Sequence, residues 1–125
     1  MARVLVIEDN PDNMALTVLL LRSAGHTVSS AIDAEIGLTM AHAELPNLIL
    51  MDIQLPGMDG LEATALLKGH DATRSIPVIA LTALAMNGDE ERIRAAGCDG
   101  YIAKPMSVPG FLATIASTLH SSGTR

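Results

Sequence analysis

Aromatic residues are almost missing, with one Tyr, one Phe and no Trp in 125 residues. Any core must therefore be aliphatic, built from Leu, Ile, Val, Ala and Met. Cysteine is as scarce. Cys98 stands alone, which excludes an internal disulfide and fits a reducing, cytoplasmic setting. The four histidines hold no zinc-ligand spacing with it, which disfavours a structural metal site. Basic residues are few, 8 Lys and Arg against 14 Asp and Glu, for a net charge of −6. Nucleic acid and anionic membrane surfaces are thereby disfavoured as partners. No apolar run approaches the ~20 residues of a membrane span. The N-terminus, MARVLVIED, meets two acids too soon for a cleavable signal.

What is present is apolar. Hydrophobic residues make up 49% of the chain, and a mean hydropathy of +0.35 excludes disorder. The length suits one domain. Strand candidates at 3–7, 27–31, 48–51, 77–81 and 100–103 alternate with helical stretches. Asn10 offers a cap with Pro11 at the first helical position, and Gly25 closes that helix. Asp33 caps the second, and Gly60 opens a third to about Gly69. The fourth opens on Asp89, Glu90 and Glu91, carries Arg92 and Arg94 late, and stops at Gly97, in accord with the helix dipole. Ser107 caps a fifth that runs to about Leu119, and 121–125 reads as a frayed tail. No linker, low-complexity tract or output domain is legible, so residues 1–120 are expected to be one stand-alone module. Five βα units predict an α/β fold, a five-stranded parallel sheet with five helices on both faces.

In such a sheet, function collects beyond the carboxyl ends of the strands. The stretch LILMDIQLPGMDG runs four large apolar residues straight into Asp52 before Pro56 and Gly57 break the chain. A carboxylate there is costly unless it is paired or binds a metal. The other strand ends deliver Glu8 and Asp9, Thr82, and Lys104-Pro105. These groups converge if strands one and three are neighbours, which gives the flavodoxin-like order 2-1-3-4-5. Taken singly, Glu8-Asp9 reads as a helix-capping acidic turn, and Thr82 or Lys104 as a turn residue or solvated charge. At the ends of the right strands together, they reverse that reading. Three carboxylates need a hard cation such as Mg²⁺. A lysine, a hydroxyl and a divalent ion around Asp52 suit a carboxylate that accepts a phosphoryl group.

The set Glu8-Asp9, Asp52, Thr82-Ala83 and Lys104-Pro105 resembles the receiver domain of two-component response regulators, over essentially the whole chain. EDNPDNM, LILMDIQLPGMDGLE and TALAMNGDEERIRAAGCDGYIAKP resemble, more narrowly, single-domain cell-cycle receivers of the DivK type. The resemblance implies Asp52 as phosphoacceptor and Asp9 as direct ligand of Mg²⁺, for which Mn²⁺ can substitute. Glu8 would act mainly through water, and the backbone carbonyl of Gln54 would complete the protein ligands. It implies that Thr82 and Lys104 hold the phosphoryl group and that Tyr101 changes rotamer with it. Leu84, two residues after Thr82, is apolar where a polar residue would position water, which implies a long-lived phosphoryl group. The implied partners are a sensor histidine kinase or histidine phosphotransferase, and a downstream protein at the helix 4–strand 5–helix 5 face.

Two other readings compete with this switch. An aspartate-nucleophile phosphatase wants a general acid close by, often two residues on, and Gln54 there cannot transfer a proton. A flavin carrier wants neutral donors at the first strand–helix turn, where Glu8, Asp9 and Asp12 would repel phosphate. The scattered His26, His42, His70 and His120 join no site, and Cys98 reads as a small buried hydrophobe. Gly57 and Gly60 are expected to serve a turn conformation. In the first helix Met14, Ala15, Leu16, Val18, Leu19, Leu20 and Leu21 point around the whole circle, more than one apolar stripe requires. Asn13, Thr17 and Leu20, at i, i+4 and i+7, are expected to form a docking stripe for the phosphodonor together with Pro105 and Met106.

Overall fold

The computed structural model describes residues 2–82, 89–103 and 107–123. In chain order the elements are β1 (Arg3–Ile7), α1 (Pro11–Ser23), β2 (Thr27–Ala31), α2 (Ala34–Glu44), β3 (Leu48–Asp52), α3 (Gly60–Lys68), β4 (Val78–Thr82), α4 (Asp89–Ala95), β5 (Gly100–Ala103) and α5 (Val108–Gly123). The strands form one sheet in the order β2-β1-β3-β4-β5, every neighbouring pair parallel. This is the expected fold class and strand order.

Strand pleating divides the apolar residues between two cores. Val4, Val6, Leu48, Leu50, Ile79 and Leu81 pack with Leu21 of α1 and with Phe111 and Ile115 of α5. Leu5, Ile7, Ile49, Met51, Val78 and Ala80 face the other way, onto Ala34 and Ala41 of α2, Ala63 and Leu67 of α3 and Ile93 of α4. Strands β3 and β4 are buried at every residue, which explains their unbroken apolar sequences.

Helix starts follow their caps. Asn10 accepts from the Asn13 amide, Asp33 from Ile36, Asp59 from Glu62, and the Ser107 hydroxyl from Gly110. The boundaries differ from the sequence reading in three elements, and β4 shifts at both ends, to Val78–Thr82. Strand β3 takes in Asp52, and β4 starts at Val78 because Pro77 has no N–H to give, although its carbonyl accepts from Ile49 at 3.0 Å. Helix α5 continues past Leu119 through Ser121 to Gly123, well into the expected frayed tail. Serine lowers helix propensity only slightly, and the first strong breaker is Gly123 itself. Cys98 is buried as expected, and that burial pushes its thiol pKa up. At the end of the sheet where strands begin, the Lys68 ammonium meets Asp99 at 2.9 Å and the Ile76 carbonyl at 2.9 Å. That tie joins α3 to the entries of β4 and β5. Among the described residues no helix is long and apolar enough to cross a membrane.

Candidate functional site

The site follows from register. Ile7 pairs with Met51, so the next residues, Glu8 and Asp52, leave adjacent strands side by side. Both continue the alternation of Val4, Val6, Leu48 and Leu50, on the face that α1 and α5 cover. Glu8 is 1% and Asp52 5% exposed. Asp9, one residue on, is exposed. Ligand oxygens of Glu8, Asp9 and Asp52 all lie within 4.8 Å of one another. Backbone amides hold two of them, Asn10 donating to Glu8 Oε2 at 3.2 Å and Gln54 to Asp52 Oδ1 at 2.9 Å. Three like charges at that spacing repel strongly in a partly dry setting. A divalent cation would relieve them, and an all-carboxylate oxygen set is the donor chemistry that Mg²⁺ prefers. The fit is good.

The chain must turn sharply after Asp52, and two glycines allow it for different reasons. Gly57 has φ +72°, a left-handed value that suits glycine. Gly60 corrects the sequence reading, because it does not adopt a left-handed φ and serves by its small size instead. A Cβ there would collide with the Asp52 carbonyl oxygen and stand 2.7 Å from Ile53 Cα. The α3 start is thus pressed against the Asp52 backbone.

Thr82 ends β4 and is buried, one step past Leu81, the register partner of Asp52. It shares a face with Ala80, the register partner of Tyr101. Tyr101 is partly buried against the core that contains Ala80 and Ile93. Thr82 and Tyr101 therefore both lie on the α2–α4 side of the sheet. Lys104, Pro105, Met106 and Leu84 lie outside the described residues.

The expected docking stripe needs correction. Thr17 is 1% exposed, and Leu20, with Met14, packs against the core under α1 and α5. Asn13 and Leu20 are half-buried, while Thr17 and its neighbour Leu21 are buried, so the stripe is not an open surface along its length. The exposed large apolar residues of α1 are Leu16, at 48%, and Leu19, at 64%. Their pattern was hidden because residues 14–21 of α1 are apolar on every side except at Thr17. Sequence reasoning also missed a ring contact between His42 and His70, which are distant in sequence but adjacent in space.

The response regulator receiver domain family matches residues 4–116. The polar-differentiation response regulator DivK of Brucella anthropi is 51% identical over 93% of this chain and 94% of its own length. The DivK of Brucella ovis is 50% identical over the same shares. Among solved structures, the receiver domain of a sensor histidine kinase from Pseudomonas aeruginosa PAO1 is 34% identical with a TM-score of 0.89, covering 95% of this chain and 98% of that one. That protein carries a magnesium ion in its active-site cleft. A putative response regulator from Chloroflexus aurantiacus reaches a TM-score of 0.91 at 27% identity, again over 95% and 98%. The fold agrees with those structures, and the chain belongs to the response regulator receiver family.

Proposed function

We propose that this receiver is a phosphorylation-controlled interaction switch in which Asp52 is the phosphoacceptor. The observation that carries it is the cluster of Glu8, Asp9 and Asp52, with Asp52 buried at the end of a central strand. Glu8, Asp9, Asp52 and the Gln54 backbone carbonyl would hold Mg²⁺, or Mn²⁺ in its place. A bound ion would offset charge on phosphoryl oxygens. An Asp52 carboxylate oxygen bonds to phosphorus as the P–N bond of a donor phosphohistidine breaks. The electron pair stays with the imidazole, which takes up a proton. The Thr82 hydroxyl and the Lys104 ammonium then hold two phosphoryl oxygens.

The switch runs through Thr82 and Tyr101. When the phosphoryl group draws the Thr82 hydroxyl toward it, space opens on the α4 side into which the Tyr101 ring swings. The α4–β5–α5 surface repacks, and a downstream protein reads the change. The donor is a sensor histidine kinase or histidine phosphotransferase. The likeness to polar-differentiation regulators favours a role in cell-cycle control, in the cytoplasm. The protein turns over no substrate beyond its own phosphoryl group. Incubation with acetyl phosphate and Mg²⁺ tests the reading. Acid-labile phosphate should accumulate and vanish in excess chelator, and Thr82→Ala should still be labelled but lose its phosphorylation-dependent partner. Equal labelling in chelator would refute it.

A further inference from the structure

We propose that His42 and His70 form a second metal site, for a transition-metal dication such as Zn²⁺, at the end of the molecule opposite the carboxylates. His42 lies in the last turn of α2, and His70 directly follows Gly69, the cap of α3. Both helices run back from the carboxyl ends of the strands, so their own C-termini meet at the other end of the sheet. The two helices pack against one core, through Ala41 beside His42 and Leu67 three residues before His70. That packing sets the distance between the rings.

The ring centroids are 5.0 Å apart and the planes cross at 83°. A zinc–nitrogen bond is about 2.0–2.1 Å, and the ring centre lies roughly 1.1 Å further on. At a tetrahedral angle two imidazoles on one ion therefore place their centroids about 5 Å apart. The observed centroid spacing falls at that value. Both residues are exposed, so an ion reaches the ring nitrogens from solvent and ring rotation about the side-chain bonds can aim them. The backbone at His70 is fixed, its carbonyl accepting from Thr73 at 3.2 Å and Arg74 at 2.9 Å. The neighbouring Asp71 carboxylate is engaged by Arg74 at 3.3 Å.

Among the described residues the only cluster of three metal-ligating side chains is Glu8, Asp9 and Asp52. The histidine site accordingly has two protein ligands, and water completes the shell. Its imidazole donors suit Zn²⁺, Cu²⁺ or Ni²⁺, whereas the carboxylate cleft suits Mg²⁺. The histidine pair thus discriminates against Mg²⁺, which the carboxylate cleft accepts. A zinc ion at the histidines would clamp the end of α2 to the turn after α3 and leave the phosphoacceptor untouched.

The test is zinc titration calorimetry on the full chain in saturating Mg²⁺, which occupies the acidic cleft. One zinc should bind, and the melting temperature should rise with zinc concentration. His42→Ala or His70→Ala should each weaken binding roughly 100-fold, since one ligand of a linked pair is lost. Both variants should keep the wild-type Mg²⁺ response, showing an intact fold. His120→Ala should change nothing. Zinc affinity indifferent to both His42 and His70 would overturn the proposal and leave a ring-stacking pair only. A loss that follows His120→Ala instead would overturn it too, placing the ion in a separate groove that His26 and His120 line with Asn47 and Leu119.

Discussion

At the residue scale, buried polar groups divide by what they face. Glu8 and Asp52 keep carboxylates out of water at the strand ends, each held by a backbone amide, in a cleft suited to a cation. Thr17 is different. Its hydroxyl lies inside the seam under α1 and has no hydrogen-bond partner among the described residues. Such a group carries a desolvation cost with no return, on the order of 1–3 kcal/mol. Thr17→Val keeps the branched shape and removes the hydroxyl. It should stabilise the protein by about 1 kcal/mol, read as a melting temperature several degrees higher. A lower melting temperature would mean that the hydroxyl is bonded after all. Asp52 was legible in the sequence because a charge after four apolar residues is anomalous. Thr17 was misread because hydropathy cannot orient a helix that is apolar all round.

Elements were legible wherever a physical signal was local. Caps at Asn10, Asp33 and Ser107, the proline at α1 and the glycine stop at Gly97 all fell where the residues required. Strand ends slipped by one residue, because the apolar run of β3 says nothing about where pairing stops. The rim of the site shows the limit best. Leu16 and Leu19 are the apolar surface of α1, and that helix starts beside Asp9. We propose that a protein phosphodonor docks there. Leu16→Glu or Leu19→Glu should slow transfer from a phosphohistidine protein by roughly 10-fold or more, about 1.4 kcal/mol. Labelling by acetyl phosphate, which needs no docking, should hardly change. Equal slowing with both donors would place the effect in the fold or the carboxylate site.

At the scale of the whole molecule, one topological fact assembles the site. The central neighbours β1 and β3 bring Glu8 and Asp9 to Asp52, and β4 adds Thr82. The polar residues at the ends of strands one, three and four made that order legible, because it gathers them at one end of the sheet. The pairing of α2 with α3 that joins His42 to His70 was not legible, since nothing local marks two residues so far apart as neighbours. The crowded carboxylates are also expected to lower the stability of the metal-free molecule. Mg²⁺ should raise the melting temperature, by about 2.7 kcal/mol of stability at a hundredfold excess over its dissociation constant. Asp52→Asn removes one of three repelling charges, so it should melt higher than wild type without metal and gain less when metal is added. A variant less stable than wild type in chelator would contradict this repulsion.

The most direct measurement is the position of the phosphoryl group. After reaction with acetyl phosphate and Mg²⁺, borohydride reduction converts an aspartyl phosphate to homoserine, and peptide mass spectrometry locates it. Homoserine should appear at position 52 alone, and none should form from Asp52→Asn. A reduced residue at Asp9 instead, or no reduced residue under conditions that leave the protein folded and Mg²⁺-bound, would contradict Asp52 as the phosphoacceptor.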